Sequence, residues 1–236
     1  MPIYRIADLN VEVNPKFKIC RKRLESYAVK SNESGKTDIA ISVSDDEIRE
    51  RCRLSDNLSE QGAEDVLILS KFCNAVLDGF DGFFFHSSCL ELDGEGYVFS
   101  AVSGTGKSTH TALWRRHFGN RVTMINDDKP VIRKCDGKFY VYGTPWMGKS
   151  NIGANISAPL GAVFLLERDR VNYAEKVSAG KVFPKLLEAT LISKKQDRMS
   201  KILELYDEIF SAVDLYLLHC TISDDAVTAA YDAICK

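Results

Sequence analysis

Residues 95–118 carry the feature that most constrains the fold, because a strand, a glycine-rich turn and a helix follow one another without a break. The segment EGYVFS alternates as a strand does, and residues 108–118 have helical character up to Gly119. Between them lies AVSGTGKST, in which two glycines let the backbone bend tightly. We therefore expect an α/β core built around this strand, turn and helix.

The composition of the turn is typical of a loop that binds phosphate. Its glycines allow backbone N–H groups to approach phosphate oxygens, and the N-terminus of the following helix favours an anion. A lysine followed by a serine supplies a charge for the β- and γ-phosphates and a hydroxyl for Mg²⁺. The predicted nucleotide-binding residues are Ser103, Gly104, Thr105, Gly106, Lys107, Ser108 and Thr109.

One position departs from the usual pattern G-x-x-x-x-G-K-[ST]. Ala101 stands where the first glycine belongs. An alanine can occupy this position if its backbone φ is negative, since only positive φ strains a residue with a Cβ. The sequence therefore still predicts a nucleotide site.

The rest of the chain mixes strands and helices without a regular βαβ rhythm. Half-exposed strands are expected within residues 3–13 and 38–44, a helix within 63–80, and a hairpin that turns at Asp136-Gly137. This pattern predicts an α/β fold with a mixed β-sheet flanked by helices. We divide it into an N-terminal α/β lobe (1–79) and a nucleotide-binding core (80–236), with one continuous domain as the alternative.

The composition indicates which binding partners and which cellular compartment to expect. The formal net charge of −2 gives no electrostatic reason to bind nucleic acid or an anionic membrane. Seven cysteines are scattered singly, which is typical of reduced thiols. The N-terminus does not read as a signal peptide, and no stretch approaches the roughly 20 apolar residues of a membrane helix. We therefore expect a cytoplasmic protein.

Two adjacent carboxylates follow the apolar strand RVTMIN. Asp127 and Asp128 lie at a strand end, where two adjacent carboxylates repel each other. This unfavourable repulsion is usually offset by a cation, or by a proton on one of the carboxylates. Near a phosphate loop, one carboxylate would bind Mg²⁺ together with Ser108, and the other would accept the proton of an attacking hydroxyl. Asp127 is taken as the metal ligand, although the sequence does not decide which aspartate has which role. The alternative is an ordinary aspartate turn or helix cap.

Two further segments hold candidate phosphate or acceptor contacts. In GTPWMGKS, Trp146 offers a flat face that could cover the nucleotide, and Lys149 offers a charge for the transferred phosphate. The alternative for this segment is a surface turn with a packed tryptophan. In LLERDR, Arg168 ends a buried strand and could reach phosphates, or could simply be solvated.

The segments FFFHSS, SGTGKST and INDD follow one another in this order within residues 80–170. This order resembles the HPr kinase/phosphorylase family, which has a phosphoenolpyruvate-carboxykinase-like fold. The resemblance implies that His86 lies near the aspartates and tunes or positions one of them, and that Asp127 and Asp128 share metal and base duties. The arginine- and glycine-rich signature of HPr kinases is replaced by YGTPWMGKSNIGAN, so the chain is similar to a short, divergent member.

The resemblance implies kinase chemistry more strongly than it implies one acceptor. The leading hypothesis is an ATP- and Mg²⁺-dependent kinase in which Lys107, His86, Asp127 and Asp128 act on a serine- or threonine-type hydroxyl. The acceptor would be a protein, a peptide or a small molecule, and the N-terminal lobe would shape its access and build a homo-oligomer interface. The alternative is a nucleotide-binding ATPase or switch protein without a phosphoryl acceptor. A decarboxylating carboxykinase is a third hypothesis, which requires a second site for a small anionic acid.

Overall fold

The computed structural model describes residues 1–30, 35–191 and 196–235. In these ranges the helices are α1 (Lys18–Leu24), α2 (Asp45–Arg53), α3 (Glu60–Gly79), α4 (Lys107–Phe118), α5 (Ala179–Ala189), α6 (Gln196–Ala212) and α7 (Asp224–Ile234). The strands are β1 (Ile3–Ile6), β2 (Leu9–Val13), β3 (Ile39–Ile41), β4 (Gly82–Phe85), β5 (Ser87–Leu92), β6 (Glu95–Ser100), β7 (Val122–Asn126), β8 (Val131–Cys135), β9 (Lys138–Tyr142), β10 (Ser157–Arg168), β11 (Tyr173–Lys176), β12 (Thr190–Leu191) and β13 (Asp214–Cys220). None of the described helices is both long and apolar enough to cross a bilayer.

A long strand, β10, joins the two halves of a large mixed sheet. Its first residues, 157–159, pair antiparallel with β9, and the strand order continues from β9 through β8 and β4 to β12. The remainder of β10 pairs parallel with both β6 and β13. Strands β1, β2 and β3 form a separate small sheet. The predicted α/β class with a mixed sheet flanked by helices is confirmed.

Strand directions bring the carboxyl ends of four strands to one edge. Strands β6, β10 and β13 run parallel, and β7 shares their direction because β5 pairs antiparallel with both β6 and β7. The chain leaves this edge at Ser100, Asn126, Arg168 and Cys220. In open α/β sheets this edge is where ligands bind. The segments on which the sequence hypotheses rest therefore meet here.

Helices cover both faces of the large sheet, and each face has its own hydrophobic core cluster. On one face, α4 and α7 bury Trp114 and Val227 against Phe99 and Phe164. On the other face, α5 and α6 contribute to a second core cluster with residues of β4, β8 and β10. A third cluster packs the small sheet and α3 against Trp146 and other residues beyond position 79. The division into 1–79 and 80–236 remains a prediction.

The strand expectation for residues 3–13 needs correction, and the reason lies in how the chain turns. Residues 3–13 form a hairpin of mostly buried strands, because Ala7 and Asp8 take φ values of 51° and 59° and reverse the chain without a glycine. The stretch 82–92 is two strands that separate at His86, because β4 pairs with β8 whereas β5 pairs with β6 and β7. The turn at Asp136-Gly137 is confirmed.

Candidate functional site

The glycine-rich loop, residues 101–106, joins β6 to α4 at the shared sheet edge. Gly104 and Gly106 have φ values of 81° and 122°, which only glycine adopts readily, whereas Ala101 stays out of the left-handed region. The alanine is therefore compatible with the loop. No side chain of the described residues caps α4, so the N–H groups of its first turn are available to an anion.

Arg168, at the end of β10, binds the back of this loop. Its Nε donates to the Thr105 carbonyl oxygen at 3.1 Å, and a terminal guanidinium nitrogen donates to the Gly104 carbonyl oxygen. These contacts hold two loop carbonyls toward the arginine. Arg168 therefore contacts the predicted nucleotide loop directly and adds positive charge beside it.

Lys107, the first residue of α4, is electrostatically linked to the aspartate pair. Its Nζ donates to the Ala101 carbonyl oxygen at 3.1 Å. Partial burial lowers the pKa of Lys107, and the negative charges of Asp128 and Asp127 oppose that shift. The loop lysine and both aspartates thus lie in one electrostatic environment.

Asp127 is fixed by a chain of hydroxyl groups. The Ser88 hydroxyl donates to Asp127 Oδ1 at 2.6 Å, and Ser88 Oγ lies 2.8 Å from Thr111 Oγ1 on α4. Because Ser88 and Thr111 are buried, this chain ties the end of β7 to the helix that follows the loop. The second carboxylate oxygen of Asp127 has no hydrogen-bond partner in the part of the chain described.

Asp128 faces the histidine that the resemblance singles out. His86 Nε2 lies 3.3 Å from Asp128 Oδ1, and the Lys129 ammonium group binds Oδ2. Burial acts to raise the pKa of Asp128, but hydrogen bonds from His86 and Lys129 outweigh it, so the pKa lies below its ordinary value. Asp128 is therefore ionised at neutral pH.

Asn126 was not predicted from the sequence, although its side chain supports the turn that carries Asp128. It is fully buried, and its Oδ1 accepts the backbone N–H groups of Asp128 and Lys129, both at 2.8 Å. Its Nδ2 donates to the carbonyl oxygen of Thr144 at 2.9 Å and to the hydroxyl of Thr144 at 3.2 Å. An Asn whose side chain bonds the backbone two residues on is a known turn signal, and it was available in the letters IND.

The segment after β9 approaches Asp128 closely through a glycine. Gly148 has φ of 66°, and a Cβ built there would lie 2.9 Å from the Asp128 Cβ. Lys149 follows it; its side chain is exposed and makes no hydrogen bond or ion pair with any other described residue. Lys149 thus directly follows the glycine that approaches Asp128, and its ammonium group is not engaged by another described residue.

The hypothesis that Trp146 covers the nucleotide is wrong. The ring is 3% exposed, stacks on Phe72 at 6.0 Å between centroids and meets Phe84 edge-on. Its Nε1 donates to Asp65 Oδ1 at 3.3 Å. The apolar cluster shared with α3 excludes the ring from the surface, and aromatic surface of this size is most stable buried.

A cleft of about 520 Å³ opens beside the loop, between the end of β10 and α5; we call it the α5-side cleft. It is lined by His86 and the loop residues 101–105, together with Arg168, Lys185 and Glu188. Lys185 forms an ion pair with Glu167 at its rim. The cleft therefore reaches both the loop and the histidine that contacts Asp128.

The candidate metal ligands are few. Among the described residues, no group of three or more His, Cys, Asp or Glu side chains could hold a metal ion on its own. The Ser108 hydroxyl is exposed, and Asp127 keeps one carboxylate oxygen without a hydrogen bond. Such a sparse oxygen set fits Mg²⁺, which usually keeps waters and takes substrate phosphates as ligands.

No protein-family model matches the chain, and no curated protein matches it in sequence. Among solved structures, the chain is similar to the HPr(Ser) kinase/phosphatase from Coxiella burnetii. The two share 10% sequence identity and a TM-score of 0.35, over 64% of this chain and 95% of that chain. The structural relation is distant.

Proposed function

We propose that this chain is an ATP- and Mg²⁺-dependent phosphotransferase of the HPr-kinase-like type, which acts on a serine- or threonine-type hydroxyl. One observation carries the proposal: Asp127 is tied through Ser88 to Thr111 on the helix that Lys107 begins, and His86 joins Asp128 beside a cleft. A lysine for phosphates, an oxygen ligand for a metal and a base are the parts that phosphoryl transfer needs.

Nucleotide binding is assigned to the glycine-rich loop and the start of α4. The uncapped first turn of α4 offers N–H groups to the β-phosphate, and Gly104 and Gly106 let the phosphate chain approach. Lys107 would leave the Ala101 carbonyl oxygen and bind the β- and γ-phosphates. Its partial burial strengthens its interaction with an anion, because the local dielectric constant is lower than that of water.

Mg²⁺ would be held by Ser108 and Asp127 together with phosphate oxygens. When bound, the ion neutralises charge that develops on the transferred group. Asp127 is oriented for this role by the buried Ser88 hydroxyl, which occupies Oδ1 and leaves Oδ2 open.

Asp128 is assigned the role of base. Its pKa is below the ordinary value, so it is ionised and ready to accept the acceptor's hydroxyl proton at neutral pH. As the acceptor oxygen bonds to the γ-phosphorus, the bond from that phosphorus to the β-bridging oxygen breaks and ADP leaves. His86 orients the carboxylate through the 3.3 Å contact.

The α5-side cleft favours transfer to an acceptor over simple hydrolysis. It meets the loop and His86, so an acceptor hydroxyl placed there would approach the γ-phosphate from the side of the histidine that contacts Asp128. A switch ATPase needs the loop but not a second binding cleft beside the base.

The test is incubation with γ-labelled ATP and Mg²⁺ in cell extract, followed by mass spectrometry of the labelled products. We expect the wild-type chain to label a hydroxyl-bearing acceptor and Asp128→Asn to label none while still binding ATP. Release of labelled inorganic phosphate alone, unchanged in Asp128→Asn, would favour the ATPase alternative.

A further inference from the structure

A second cleft, of about 290 Å³, opens on the α4 side of the loop. Its walls come from three parts of the chain: the loop end with α4, the end of β10, and residues 220–222 at the end of β13. We call it the β13-side cleft. It adjoins the end of the predicted nucleotide loop, but its other walls have no role in the proposed transfer chemistry.

The order of strands separates this cleft from the aspartates. From β6, which carries the loop, the sheet continues through β5 to β7 and Asp127 in one direction. In the other direction it continues through β10 to β13, whose ends line the cleft. A triphosphate on the loop whose terminal phosphate faces Asp127 therefore directs its other end toward the β13-side cleft.

The walls suit a flat, partly apolar ligand. Leu113 and Leu166 are buried in the core that underlies the cleft, and Ile222 at its rim is 75% exposed. Covering an exposed isoleucine with a ring is favourable in free energy, because apolar surface is then removed from contact with water. The Asp169 carboxylate, also on the wall, accepts the Arg170 backbone N–H at 2.6 Å and lies 3.1 Å from His219 Nδ1, and its remaining lone pairs can accept from sugar hydroxyls.

His110 supplies an independent pointer to a ligand. It is 3% exposed, and burial lowers its pKa to about 4, so the ring is neutral. Trp114 Nε1 donates to His110 Nε2 at 2.9 Å; an indole N–H can only donate, so the ring proton lies on Nδ1. That Nδ1–H has no hydrogen-bond partner among the described residues, although His110 lines the cleft.

We propose that the β13-side cleft binds the nucleoside of the nucleotide, with the base against Ile222 and the sugar near Asp169. A ring nitrogen or sugar oxygen of the ligand would accept the unpaired Nδ1–H of His110. The proposal rests on the proposed function, since it presumes that the loop holds the phosphates. It adds the part of the site that distinguishes a nucleotide from a bare polyphosphate.

The test compares MgATP with magnesium tripolyphosphate by titration calorimetry. Ile222→Asp removes the apolar contact at an exposed position, so the fold is retained. We expect it to raise the Kd of MgATP about tenfold, a change of about 1.4 kcal/mol, and to leave the Kd of tripolyphosphate within about twofold. Leu54→Asp is the matched control, since Leu54 is 72% exposed and does not line the cleft; neither Kd should change.

Other outcomes separate this proposal from the one it rests on. Equal weakening of both ligands by Ile222→Asp, or no weakening of either, overturns the nucleoside assignment and leaves the phosphate site standing. If the wild-type chain binds neither ligand, the proposed function fails as well. Nitrogen-15 NMR of His110 gives a second readout: Nδ1 should shift with MgATP and not with tripolyphosphate, and an identical response to both contradicts the assignment.

Discussion

Replacement of Asn126 with alanine tests whether the aspartate pair must be held in place for transfer to occur. The Asn126 side chain makes four hydrogen bonds, two from the backbone N–H groups of Asp128 and Lys129 and two to Thr144. Alanine removes all four and supplies no replacement. The strand end would keep its apolar packing, but the turn that carries Asp128 would lose its internal support.

The magnitude follows from these contacts. At a net value of about 1 kcal/mol for each hydrogen bond, the variant should lose roughly 3–4 kcal/mol of unfolding free energy. For a chain of this length that corresponds to a fall of about 10 °C in Tm. A shift of about 1 Å in Asp128 should lower the transfer rate about 100-fold, because positioning of reacting groups is that sensitive. ATP affinity should stay within about threefold, since Asn126 does not contact the loop.

The assay pairs denaturant unfolding with transfer from γ-labelled ATP, measured well below the Tm of each variant. Ile209→Ala is the control: Ile209 is 1% exposed on α6, so the substitution should cost about 2–5 kcal/mol and leave transfer unchanged. An Asn126→Ala protein that unfolds more easily but transfers phosphate at the wild-type rate would show that the Asn126 hydrogen bonds do not position Asp128 for transfer.

Three further predictions concern the charged residues. Lys107→Ala should abolish binding of both MgATP and tripolyphosphate in calorimetry. Retained binding would show that the loop is not the phosphate-binding site. Asp128→Asn should lower transfer at least about 100-fold with ATP affinity kept, as loss of a base does. Because the pKa of Asp128 is depressed in the folded chain, its stabilising contribution is present above the ordinary aspartate pKa and is lost as pH falls through the folded value. Acid unfolding followed by circular dichroism should therefore be less steep in Asp128→Asn. Arg168→Ala frees two loop carbonyls and should weaken tripolyphosphate binding by about threefold to tenfold, whereas equal affinity would make the arginine contact incidental.

Local sequence signals predicted the parts of the fold that local geometry decides. The glycines of the loop and Asp136-Gly137 mark turns whose backbone angles few other residues adopt, so these positions could be predicted from the sequence. The α4 helix begins at Lys107, one residue before the expected start, within the ordinary uncertainty of helix ends.

Features decided by distant pairing were not accessible in the same way. His86 interrupts an apolar run because β4 and β5 have different partners, and no local pattern encodes that choice. Trp146 is buried because α3 offers Phe72 as a surface to stack on, whereas its own neighbours in sequence indicate only a turn. The grouping of His86 with Asp128 came from the resemblance and not from spacing along the chain.

The most direct test of the central claim uses Mn²⁺ in place of Mg²⁺, because bound Mn²⁺ broadens NMR signals of nearby nuclei. With Mn²⁺ and ATP, the backbone amide signals of Lys107, Asp127 and Asp128 should all be strongly broadened. Broadening that is much stronger at Lys107 than at either aspartate would contradict the proposed site, because the metal-bound nucleotide would then lie away from the carboxylates.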